Sequence, residues 1–181
     1  MTAVPLGESV ERRVHVGQGE HHVTSDPAVV LTTVLGSCVA ACLCDRTAGV
    51  GGMNHFLLPD GAGAGADAGR RYGAYAMELL INDLLKSGAR RERLEAKLFG
   101  GGRMFDALRD VGQANAAFAE RFLKDEGIRV VSGSLRGAGG RRLHYWPASG
   151  RAMQRAVADA AAPRPRPMPP VMAVGGELEL F

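Results

Sequence analysis

Apolar and polar positions lay the chain out as short strands interrupted by two helices. RRVHV (12–16) is a short alternating strand, and AVVLTTV (28–34), β-branched and bounded by Pro27 and Gly36, is a buried one. After the tight Leu35-Gly36-Ser37 turn comes CVAACLC (38–44), then a polar DRTA, then VGGMNHFLL (50–58), stopped by Pro59. Two apolar runs around a short polar loop predict a hairpin. DGAGAGADAGR (60–70) has the composition of a flexible surface loop. From Tyr72 to Lys86 the apolar residues fall at 72, 76, 77, 80, 81, 84 and 85, which predicts an amphipathic helix with Gly88 as its left-handed cap. LEAKLF (94–99) alternates as a half-buried strand ended by Gly100-Gly101-Gly102. A second helix is predicted over 113–126, with Ala114, Ala117, Phe118 and Phe122 inward. IRVVSGS (128–134), RRLHYW (141–146) and RAMQRAV (151–157) are closing strands, the last two joined by Pro147-Ala148-Ser149-Gly150. Beyond about residue 158, AAAPRPRPMPPV continues neither sheet nor helix and is an extended linker before GGELELF.

Composition bounds this picture. The chain has 181 residues, 46% hydrophobic and 23% charged, which excludes wholesale disorder and suffices for a sizeable core. Glycine stands at 25 residues, about twice average usage, and implies many tight turns and close backbone approaches. A net charge of +3 is too mild to argue for nucleic acid. The charge is uneven: between Arg136 and Arg166 lie seven arginines against the single acid Asp159. Such a cluster is either a solvated basic face or a steering surface for an anionic partner. No apolar run approaches the roughly 18 residues of a membrane helix, and MTAVPLGESVERR lacks the pattern of a signal peptide. Cys38, Cys42 and Cys44 make poor disulfide arithmetic and point to a reducing cytosol.

Cys38 and His55 are the informative pair. A cysteine nucleophile needs a partner that lowers its thiol pKa and later protonates the leaving group. With a four-residue loop at 45–48, Cys44 faces Gly49, and Cys38 then lies directly across from His55 on one face of the hairpin. The competing reading is a buried cysteine packed as a small hydrophobe. The CxxxCxC spacing lacks the second ligand pair of a zinc site. Gly100–Gly102 lacks the lysine of a phosphate loop, so a tight turn explains it better. His15, His21, His22 and His144 have no partner arguable from sequence and read as surface or strand histidines.

LGSCVAACLCD (35–45), GGMNHFLLPDG (51–61) and LEAKLFGGGRMF (94–105) together resemble, in order, the signature blocks of the CheD family, the chemoreceptor glutamine deamidases of bacterial chemotaxis. The resemblance runs over most of 12–157. It implies an α+β fold, an α/β sandwich with a mixed or antiparallel sheet and two main helices, and the change in composition puts that domain at 1–158 with a proline-rich tail at 159–181. The resemblance also implies a catalytic Cys38 in LGSC, a His55 in MNHF, and a threonine six residues before the cysteine, Thr32, with Thr33 its neighbouring candidate. Backbone N–H groups at Gly36 and Ser37 would hold the oxyanion, and no cofactor or metal is needed. Expected partners are chemoreceptor cytoplasmic helices and a CheC-type phosphatase, in the cytoplasm. Arg141 and Arg142 would meet the glutamates that flank target glutamines. Where the family often shows Gly-x-Arg-Asn, this chain has Gly112-Gln113-Ala114-Asn115, so the arginine is missing. Two rival classes remain: a thiol protease or transglutaminase-like enzyme, and a non-catalytic adaptor for the phosphatase.

Overall fold

The segment CVAACLC is apolar at every position, and the fold uses both of its faces. The computed structural model describes residues 10–59, 64–103 and 111–157, with backbone alone at 64–66. In chain order the strands are β1 (Arg12–His15), β2 (His21–Thr24), β3 (Val29–Leu35), β4 (Val39–Asp45) and β5 (Val50–Phe56). Helix α1 (Ala64–Lys86), β6 (Glu95–Gly100), α2 (Val111–Asp125), β7 (Arg129–Leu135), β8 (Arg141–Trp146) and β9 (Arg151–Ala156) follow. One sheet has the order β2-β5-β4-β6-β7 and the other β1-β3-β8-β9. Each is antiparallel except for one parallel pair, β6 with β7 and β1 with β3.

Strand β4 is buried throughout and sits at the centre of the wider sheet. Its odd residues, Val39, Ala41 and Leu43, join Met77, Leu80 and Leu84 of α1 and Leu123 of α2 in one core. Its even residues, Ala40 and Cys42, join Leu31, Leu35, Met53, Phe99, Leu143 and Tyr145 in a second core between the sheets. The result is three layers, helices on sheet on sheet, in agreement with the expected α+β sandwich. Small side chains on β4 let both neighbours close in on it.

Two local expectations are corrected, and one strand is added. Helix α1 begins at Ala64, inside the segment expected to be a loop. Its glycines at 69 and 73 lie on one face: a Cβ at Gly69 would stand 3.3 Å from the Pro59 carbonyl, and one at Gly73 2.6 Å from Leu58. Glycine is there for close packing against the chain leaving β5. The inner face of α2 carries Gly112, Asn115, Ala116, Ala119 and Leu123, whereas Ala114 is exposed. Finally, His21–Thr24 pairs with β5 as an edge strand, tied to α1 by a 2.8 Å bond between His21 and Asp83.

Candidate active site

The hairpin closes one residue later on each strand than its sequence suggests, which shifts the register by two. Asp45 Oδ1 accepts the N–H groups of Thr47 and Ala48, and Gly49 takes φ +65°, so the first closed pair is Asp45 with Val50. That pairing sets Ala40, not Cys38, across from His55. A slip of two leaves every side chain on its original face, because the strand period is two. Cys38, in the bend before β4, therefore reaches His55 diagonally, with Sγ 2.9 Å from Nε2.

The other ring nitrogen fixes how the imidazole is used. His55 Nδ1 lies 3.0 Å from Thr33 Oγ1 and 3.3 Å from the Val16 carbonyl oxygen. A carbonyl can only accept, so Nδ1 carries the proton and Nε2 is left bare to accept from the thiol. Both side chains are buried, with Cys38 9% and His55 6% exposed. Burial pushes the Cys38 thiol above its ordinary pKa, against the Gly36 and Cys38 backbone N–H groups that pull it down. Burial also pulls the His55 imidazole below its ordinary value, against the Val16 carbonyl that raises it. The resting pair is thus a neutral thiol on a neutral imidazole. This corrects the expectation of a depressed cysteine.

The threonine at the histidine is Thr33; Thr32 is not in contact with it. Along β3 the odd positions 29, 31, 33 and 35 are buried between the sheets. Thr32, expected from the family spacing, points to the outer face and lies beside His15 and His144 in the register.

The turn bearing Cys38 is held by its carbonyls. Gly102 N–H donates to Gly36 O at 2.8 Å, Asn115 Nδ2 to Ser37 O at 2.9 Å, and Gly101 N–H to Cys38 O at 2.8 Å. A Cβ at Gly100, where φ is +104°, would stand 2.1 Å from Cys38 O, so the glycine run is what lets this strap press against the turn. With the carbonyls fixed on that side, the Gly36 and Cys38 N–H groups face the sulfur. Gly36 and Ser37 are the expected oxyanion donors; the Gly36 N–H also reaches the sulfur, and the Ser37 carbonyl is bound by Asn115.

Asn115 is the residue that sequence reasoning missed. Fully buried, it also accepts the Leu58 N–H at 2.9 Å, so one amide joins the chain after β5 to the Cys38 turn. Gly112 completes the motif, since a Cβ there would meet Gly102 O at 2.4 Å. An asparagine inside the predicted helix, three residues after a glycine, was the available signal. Ala114, at the family's arginine position, is exposed, so the missing guanidinium leaves this packing intact.

The two expected substrate arginines are not a pair. Arg141 is buried, and its guanidinium donates to the Ser134 carbonyl and hydroxyl and to the Arg136 carbonyl. It braces the β7–β8 connection and has no face toward a partner. Arg142, one residue on, is exposed on the opposite face of β8. Arg164 and Arg166 lie outside the described residues. Among the described residues, no three His, Cys, Asp or Glu side chains gather as a metal site requires, and no helix is long and apolar enough to cross a membrane.

The sequence has close relatives. The family model described as "CheD chemotactic sensory transduction" matches residues 57–156, beginning two residues after His55. A protein of Caulobacter sp. (strain K31) named "Probable chemoreceptor glutamine deamidase CheD" is 65% identical over 175 residues, covering 93% of each chain. Proteins with the same name from Rhizobium meliloti (61% over 160 residues, 87% of each chain) and Agrobacterium fabrum (54% over 180 residues, 96% of this chain and 99% of that one) are also similar.

Proposed function

Because this chain belongs to the CheD family, we propose that it converts glutamine side chains of chemoreceptor cytoplasmic helices to glutamate through Cys38 and His55. The observation that carries the mechanism is the 2.9 Å contact between Cys38 Sγ and a bare His55 Nε2. As the sulfur attacks the carboxamide carbon, its proton passes to Nε2, so thiolate is generated only when it is consumed. The carbonyl oxygen becomes an oxyanion beside the Gly36 and Cys38 N–H groups, donors that the fixed turn cannot swing away. His55, now imidazolium, gives the proton to the departing nitrogen, and ammonia leaves a Cys38 thioester. Neutral His55 then takes a proton from water, whose oxygen attacks the thioester carbon. Collapse returns the His55 proton to sulfur and releases the glutamic acid, which gives its own proton to ammonia or solvent and becomes carboxylate. Thr33 and the Val16 carbonyl keep the ring in the working tautomer, the part taken by the third member of a triad.

The reading places the protein in the cytoplasm, with a CheC-type phosphatase as a second partner. The test is purified protein with receptor cytoplasmic fragments, read by ammonia release and by the 1 Da mass gain of each deamidated glutamine. Cys38→Ala should abolish both while Cys42→Ala retains them. Amine incorporation or peptide cleavage in place of ammonia release would assign the site to a transferase or protease. A Cys38→Ala protein that keeps full cellular function would make the chain an adaptor.

A further inference from the structure

The inner face of the wider sheet changes character along its length. On β6 the residues facing the second sheet are Glu95, Lys97 and Phe99, and Phe99 alone enters the inter-sheet core. Toward the other end that face is charged, and β6 and β7 line an open cleft of about 670 Å³. The cleft lies at the Cys44 end of β4, about 20 Å of extended strand from Cys38.

Four cations from four separate segments converge there: Arg46 after β4, Lys97 on β6, Arg129 on β7 and Arg151 at the start of β9. Against them stands one carboxylate, Glu95, which Arg129 engages at 2.6 Å. Among the described residues Lys97 Nζ pairs with no acid; it donates to the Gly150 carbonyl at 2.7 Å and is fixed at the cleft wall. Arg151 stacks on Trp146, 3.8 Å from the ring centroid, which orients its guanidinium. Ser132 and Ser149 add hydroxyls. Gly150, with φ +71°, keeps the wall thin: a Cβ there would stand 2.6 Å from Cys44 Sγ and 3.9 Å from Arg46. Like charges held together on a sheet face repel one another, and an anion with several oxygens relieves that repulsion.

We propose that this cleft binds a small anion of the phosphate class, carrying two or more negative charges, at a site separate from the Cys38 centre. Planar guanidiniums and serine hydroxyls match the several oxygens of a phosphate group, and the cleft has the size of a small-molecule site. Its lining is mostly polar, which disfavours an apolar ligand.

Pyrophosphate is the probe. Calorimetric titration of the full chain at low ionic strength should give saturable one-site binding, and amide signals of Ser132 and Gly150 should shift with the same affinity. Arg46→Gln with Arg151→Gln, both exposed and neither in the Cys38 centre, should weaken binding at least tenfold while leaving the melting temperature unchanged. Should that variant unfold, Lys97→Gln reads the same contact from the sheet side. Absence of saturable binding, or equal affinity in the folded variants, overturns the proposal. Binding of a glutamate-rich peptide here that pyrophosphate does not displace overturns it as well, in favour of a protein partner.

Discussion

Replacing Asn115 tests whether the Cys38 turn owes its shape to a helix outside the hairpin. In Asn115→Ala two half-buried groups lose their partner, the Leu58 N–H and the Ser37 carbonyl. Each orphaned group costs about 1–3 kcal/mol, so the pair should cost about 2–4 kcal/mol once some relaxation is allowed. For a domain of this size that is a fall of about 5–15 °C in melting temperature. Asn115→Asp separates the two bonds. One oxygen still accepts from Leu58 N–H, but the other now faces the Ser37 carbonyl, acceptor against acceptor, around a buried charge. Protonation restores a donor, so Asn115→Asp should recover stability as pH falls toward 5 while Asn115→Ala does not. Turnover should drop at least tenfold in both at neutral pH, with KM little changed, because the loosened turn carries the sulfur and the N–H groups around it. Thermal melts followed by circular dichroism and ammonia release from receptor fragments measure both effects. An Asn115→Ala protein that melts within a degree of wild type and turns over normally would refute this account.

Thr33→Val should lower kcat about tenfold, the value of one buried hydrogen bond, at unchanged KM, whereas Thr32→Val should leave both constants alone; the reverse order would return the triad position to Thr32. Iodoacetamide labelling of Cys38 should still be accelerating above pH 9, since burial raises the thiol pKa; a plateau by pH 7 would show a preformed thiolate. Asp45 is fully buried. Burial would raise its pKa, but the Arg90 N–H, the Arg93 guanidinium and the Ala48 N–H hold it at about 2. A lowered carboxylate pKa stabilises the fold above the unfolded-state value near 4 and ceases to do so as pH drops toward 2, a contribution of about 2 kcal/mol. Urea melts of Asp45→Asn should be weaker than wild type at pH 7 and converge with it near pH 2.

Most of the strands, and the shared face of Cys38 and His55, were legible because each rests on a local pattern. Val29–Leu35 and Val39–Asp45 announce themselves by composition, and the side on which Cys38 and His55 meet depends only on parity, which survived an error of two in register. Thr33 was less accessible, since the choice between adjacent threonines is a choice of face, and the alternation of Leu31, Thr33 and Leu35 toward the core competes with the spacing that the family resemblance implies. The first two turns of α1 were hidden by glycines that packing demands and propensity penalises. Arg141 looked like half of a charged surface because nothing local reveals that its guanidinium is consumed by Ser134 and Arg136. Asn115 serves partners 57 and 78 residues distant along the chain, which no local window contains.

Strand β4, held between a helix layer and a second sheet, also governs how this protein comes apart. Its central thiol, Cys42, is 1% exposed and touches both sheets. No fraying of an edge strand or helix end uncovers it; the layers must separate. Exchange of the β4 amides and trapping of Cys42 by a thiol reagent therefore proceed through global opening, and their rates report the free energy of the whole domain. The chain thus carries an intrinsic gauge of its own folding, one strand away from His55 and chemically distinguishable from Cys38, the proposed nucleophile.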